Sequence, residues 1–114
     1  MDATIEQKSF RFAIRIVNLY KYLRKEKKEF VLSKQLLRSG TSIGANVAES
    51  QQGQSRADFV AKLNISLKEA AETDYWLRLL HATDYLSDEE YLSVHNDCRE
   101  LEKMLTAIFK TTKQ

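Results

Sequence analysis

The chain has 114 residues, with no proline, three glycines, one cysteine, 43% hydrophobic and 30% charged residues. That length holds one domain, residues 1–114, and the shortage of proline and glycine argues against collagen-like, linker-rich or turn-dependent all-β architectures. The net charge of +2 is unevenly placed: residues 1–47 carry ten Lys/Arg against four Asp/Glu, and residues 48–114 carry eight against twelve. Such asymmetry suggests a basic surface for a polyanion, complementary surfaces that meet between subunits, or ordinary helical surface charge. A lone cysteine makes no internal disulfide, so a reducing cytoplasm is the expected compartment. No run of about 18 apolar residues predicts a membrane span, and Met1-Asp2-Ala3-Thr4-Ile5-Glu6 lacks the layout of a signal peptide.

Ile5, Phe12, Ile16, Leu19 and Leu23 recur at helical steps and predict a first helix from about Thr4 to about Lys28, with a charged exit at Lys25-Glu26-Lys27-Lys28-Glu29. Ser33 is placed to cap a second helix with inner face Leu36, Gly40, Ile43 and Val47, stopped at Gly53. Ser55 with Asp58 resembles a capping box for a third helix carrying Phe59, Leu63, Leu67, Ala70 and Leu77. Ser87 and Glu90 form a better box for a fourth, whose stripe is Tyr91, Val94, Cys98, Leu101, Leu105 and Ile108. Four such helices with short connections predict an all-α, antiparallel up-down-up-down four-helix bundle.

Two helices carry more apolar surface than one core needs. On a wheel at 100° per residue, Phe10, Ile14 and Val17 lie well round from the main stripe of helix one. Helix three is apolar nearly all round near Trp76 and Leu80, and Ile65 shares the Trp76 side. These six residues predict a homo-oligomer interface, against the plainer reading of a thick core with scattered surface apolars. On helix two, Gly40, Gly44 and Ala48 are four apart and invite close packing of a neighbouring helix, while Ser39, Ser42, Asn46 and Glu49 form a polar stripe.

No phosphate loop, dinucleotide fingerprint, HExxH or paired CxxC is present, and neither an enzyme nor a cofactor is expected. His95 and Cys98 are three apart, but two ligands do not make a metal site, and Cys98 lies in the apolar stripe. His81 is read as a helix-end residue. Glu49, Glu69 and Asp74 lack the Glu-x-x-His pairs of di-iron bundles. The stronger signal is on helix one, where Lys8, Arg11, Arg15, Asn18, Tyr22 and Lys25 fall within about 100° of arc. A basic stripe of this kind contacts successive phosphates, and Tyr22 stacks on an unpaired base, unless the face is merely solvated.

The string Leu37-Arg38-Ser39-Gly40-Thr41-Ser42-Ile43-Gly44-Ala45-Asn46-Val47-Ala48-Glu49 resembles the signature of the four-helix bundle proteins encoded within intervening sequences of bacterial 23S rRNA genes. The match continues through Phe59, Leu63, Ser66, Leu67 and Glu69 into Tyr85-Leu86-Ser87, nearly the whole chain. The accessory variability determinant of diversity-generating retroelements looks like a relative of the same fold. The resemblance implies an antiparallel bundle assembling as a homopentamer with a basic surface, and a retroelement branch that binds nucleic acid and partners a reverse transcriptase. Ser39, Ser42, Asn46, Glu49 and Glu69 are then a structural polar network or interface set. Where the family pattern often ends in Gly, this chain has Ser50, which lets helix two run on toward Gln52. The expected function is non-enzymatic binding of RNA or DNA by a homo-oligomer, through Lys8, Arg11, Arg15, Lys21, Tyr22, Arg24, Lys25, Lys27, Lys28 and Arg38. The alternative is a protein–protein adaptor that docks a polymerase or another partner.

Overall fold

A computed structural model describes residues 3–113. They form four helices, α1 (Ile5–Lys25), α2 (Leu32–Ser50), α3 (Arg56–Ala82) and α4 (Asp88–Lys113), with no strand among the described residues. Each helix packs on its chain neighbours, α1 also meets α4, and the α1–α4 contact is the least extensive of the four. That is the square arrangement of a four-helix bundle. The long axis of 44 Å matches the 27-residue α3 at about 1.5 Å per residue.

The helix ends follow side-chain chemistry. Thr4 and Gln7 make a reciprocal capping box for α1. Ser55 Oγ accepts from Asp58 N at 3.1 Å, and Ser87 and Glu90 exchange bonds of 2.8 and 3.1 Å. At α2 the expected Ser33 cap is replaced. The Glu29 carboxylate accepts from the backbone N–H groups of Val31, Leu32 and Ser33, at 3.1, 2.9 and 2.6 Å, and Ser33 Oγ donates back to Glu29 O. Burial alone would raise the Glu29 pKa, but these donors outweigh it and hold the carboxyl below its ordinary range. Helix one ends three residues before the expected Lys28, which adopts a left-handed φ of 56° and turns the chain toward α2. Helix two ends at Ser50 with Gln51 as its cap, short of Gln52.

Most of the predicted core positions are buried, and Leu19, Phe59, Leu67, Tyr91 and Ile108 pack against them half-buried. Phe12, Ile16, Leu23, Leu36, Ile43, Val47, Leu63, Leu77, Leu101 and Leu105 are all buried. Burying a Leu or Ile side chain stabilises by about 1.5–3 kcal/mol, so this stripe-on-stripe contact is the main force behind the fold. Gly40 and Gly44 let α1 lie close on α2: a Cβ at Gly40 would fall 2.8 Å from Ile16, and one at Gly44 would fall 3.1 Å from Ser9 O. Across the α2–α3 seam the buried Ser66 Oγ donates to Ile43 O at 2.8 Å, and the Thr73 and Ser39 hydroxyls lie 2.9 Å apart.

Candidate nucleic-acid interface

Three of the predicted nucleic-acid-binding cations are turned onto carboxylates of the acidic half. Lys8 Nζ sits 3.1 Å from Glu100, and Arg15 lies 2.6 Å from Asp97 while also donating to Ser93 O and Oγ. Arg38 reaches across to α3, 3.2 Å from Glu69 and in contact with Glu72. Tyr22 lines the same α1–α4 groove as Glu90, whose carboxylate, with burial, raises its pKa. Exposed pairs of this sort stabilise by only about 0–1 kcal/mol, but they cancel charge that a polyanion would otherwise meet. Charge complementarity between the two halves of the sequence is thus met, at these positions, within one subunit.

The remaining cations gather mostly at one end. Lys21, Lys25 and Lys28 are exposed, as is Arg11 further along α1, and none of the four has an ion pair among the described residues. Arg24 lies between two rings, 5.4 Å from the centre of Tyr20 and 5.1 Å from that of Phe30, and Lys27 lies 5.9 Å from the centre of Tyr22. Of the two acids of this connection, Glu29 is buried against the α2 N-terminus, so its charge faces inward, while Glu26 is exposed among the cations. Lys34, exposed in the first turn of α2, extends the patch. Sequence inspection missed Lys34, Tyr20 and Phe30. The available signal was an aromatic on each side of the Arg24–Lys28 basic run.

The apolar positions divide. Phe10 is 67% exposed, Ile14 49% and Ile65 42%, and Val17 is half-buried. Phe10 borders an almost wholly apolar groove whose floor is Gly44 and Ala48 of α2. Trp76 is half-buried, donates from Nε1 to Glu72 at 3.0 Å and meets Tyr75 edge-on. Leu80 is a correction. It is fully buried in the subunit's own core, because the chain after Thr83 folds back, with Tyr85 N and Leu86 N both bonding Leu80 O. The predicted polar positions of α2, with Glu69 of α3, make local bonds, and Thr73 ties Ser39 to Glu69 by also donating to Glu69 O at 2.8 Å. Ser39 meets Thr73, Glu49 pairs with Lys62 at 3.1 Å, and Glu69 pairs with Arg38, whereas Ser42 and Asn46 bond only to the backbone of their own helix.

A second polar cluster lies between α3 and α4. Asp74 is held 2.8 Å from His95, 3.2 Å from Arg78 and 3.6 Å from Arg99, with Glu102 and Cys98 alongside. Burial, then the facing Asp74, pushes Glu102 up to about 7, while Asp74 is lowered despite its burial because Glu102, His95 and Arg78 face it. Burial raises the Cys98 thiol, which donates to Ala70 O at 3.5 Å. Tyr91 stacks between His81 and His95, at 4.2 and 4.7 Å, and His81 also meets Asp88 at 2.7 Å. His95 and Cys98 therefore face different partners, and among the described residues no three His, Cys, Asp or Glu side chains are grouped to hold a metal ion. Nor is any helix of the described residues long and apolar enough to cross a membrane.

Comparison with known proteins agrees with this architecture. A solved structure of a protein of unknown function from the S23 ribosomal protein family of Bacteroides thetaiotaomicron superposes with a TM-score of 0.93 at 61% identity, covering 94% of this chain and 99% of that one. No curated protein matches. The model of the 23S rRNA-intervening sequence protein family matches residues 1–107, and with the bundle and its glycine-dependent α1–α2 contact it places the chain in that family.

Proposed function

We propose that the chain acts without catalysis, as a homo-oligomer and specifically a pentamer, binding nucleic acid, RNA foremost, through phosphate contacts with little sequence preference. The observation that carries this reading is the set of cations with no carboxylate partner at the α1–α2 end, Lys21, Lys25 and Lys28, beside Arg24 and Lys27. Lys8, Arg15 and Arg38 serve the subunit's own ion pairs and contribute less. Repeating the patch in each copy multiplies weak contacts by avidity. The test is binding to structured RNA, single-stranded DNA and duplex DNA across about 50 to 200 mM salt. Affinity falling by about 10³ or more is expected for multivalent phosphate binding. Lys21, Lys25 and Lys28 changed together to Glu should remove it, while Lys8→Gln leaves most of it. No binding at the lowest salt overturns the reading.

A second reading has its own observation, the exposed strip of Phe10 and Ile14 beside the Gly44–Ala48 groove. This strip suits a protein surface, either a second copy or an adaptor's partner such as a polymerase. Light scattering on the wild type and on Phe10→Asp separates the two. Loss of self-association assigns the strip to the oligomer; an unchanged mass leaves it to a different protein.

A further inference from the structure

The aromatic expected to stack on a base, Tyr22, lines the α1–α4 groove with Glu90. Two other rings stand at the basic end. Phe30, in the α1–α2 connection, is 47% exposed, and the Arg24 guanidinium lies 5.1 Å from its ring centre and 5.4 Å from that of Tyr20. Lys21 and Lys25 line the same shallow groove. The backbone that carries the ring is held, because the neighbouring Glu29 carboxylate accepts from three backbone N–H groups at the start of α2. An exposed, positioned Phe contributes little to the core, whereas an aromatic face among cations is the chemistry that holds a stacked base and its phosphates. A duplex does not use such a ring, since its bases are already stacked inside.

Building on the nucleic-acid reading above, we propose that this end takes unpaired nucleotides, RNA or DNA. One base stacks on Phe30, Arg24 closes over it or moves to a phosphate, and Lys21 and Lys25 hold the flanking phosphates. The preference is for single strands, loops and overhangs over blunt duplex.

The experiment compares the whole protein's affinity for a short single-stranded RNA, the same sequence as DNA, and a blunt RNA duplex of equal length, for wild type, Phe30→Ala and Phe30→Trp. Phe30→Ala should weaken single-strand binding by roughly five- to a hundredfold and leave duplex binding within about twofold, and Phe30→Trp should restore it. A wild type that shows no single-strand preference, or a Phe30→Ala that weakens neither ligand or both alike, overturns this inference while the phosphate-binding reading stands. Absence of salt-dependent binding to every ligand overturns both. Should Phe30→Ala fail to fold by circular dichroism, a strand carrying 2-aminopurine reports on the wild type directly: stacking quenches its fluorescence, and unchanged fluorescence on saturation sinks the proposal.

Discussion

Replacing Gly40 by Ala sets close helix approach against helix propensity. The new Cβ would lie 2.8 Å from both Cγ1 and Cγ2 of Ile16 and 3.2 Å from its Cβ, where ordinary contact begins at 3.4 Å. Ile16 is fully buried. Being branched at Cβ, it has few rotamers, and because both γ carbons collide, turning χ1 exchanges one clash for another. The relief available is a separation of α1 from α2 by about half an ångström, which loosens the packing along the whole seam. Overpacking of this kind costs about 1–3 kcal/mol, against a gain of up to about 1 kcal/mol from Ala in place of Gly. The expected balance is a loss of about 1–2 kcal/mol. At about 4 °C or more per kcal/mol for a domain near this size, Tm should fall by roughly 5–10 °C. Urea denaturation followed by circular dichroism should show a lower midpoint with an unchanged slope. Adding Ile16→Ala, which removes both γ carbons, should make the Gly40 substitution nearly neutral, a coupling of about 1 kcal/mol or more. A Gly40→Ala protein as stable as the wild type would refute the reasoning and leave propensity in control of the site.

The carboxyl pair between α3 and α4 gives a pH dependence with a definite sign. Glu102 holds its proton up to about 7 when folded, against an ordinary 4.5, so its contribution is full below about pH 4.5 and is lost as pH rises through 7. Unfolding free energy should fall by about 1–3 kcal/mol between pH 5 and 8, and Glu102→Gln should flatten that slope; an equal slope in both proteins contradicts the assignment. Glu29 has the opposite sign, its stabilisation being present above its ordinary range and lost as the carboxyl is protonated on acidification. Glu29→Ala, which orphans three N–H groups, should cost roughly 2 kcal/mol in chemical denaturation, and a loss under about 0.5 kcal/mol would show that water caps α2 as well. Cys98, fully buried with a raised thiol, should react with a disulfide reagent only at the rate of opening, so labelling that is fast in native buffer would contradict its placement.

The fold was legible because its signals are local. Ser55 and Ser87 cap the helices they were expected to cap, and Ile5, Phe12, Ile16 and Leu23, spaced at four and seven residues, do face the core. Where the reading failed, the deciding partner was non-local or one turn away. Ser33 lost the cap to Glu29, whose longer side chain reaches three N–H groups at once. Leu80 was assigned to an outer face because a helix wheel knows nothing of the connection that folds over it.

The basic stripe of α1 carries the same lesson into function. Lys8, Arg15 and Tyr22 are seven residues apart, and their partners Glu100, Asp97 and Glu90 run backwards along α4. This is a heptad-spaced edge laid against an acidic edge in antiparallel order, the arrangement that fixes the register of neighbouring helices. A wheel drawn for α1 alone shows a basic stripe and points to a ligand; laying α4 beside it in reverse turns Lys8, Arg15 and Tyr22 into a seam. Lys21 and Arg24 escape because they lie off the arc that meets α4, and Lys25, at the stripe's edge in the last turn, has no ion pair among the described residues. The polyanion reading therefore moves from the length of the helix to its end. Its strength then depends on how many copies bring that end together, since three or four cations per subunit give weak binding alone and multivalent binding when repeated.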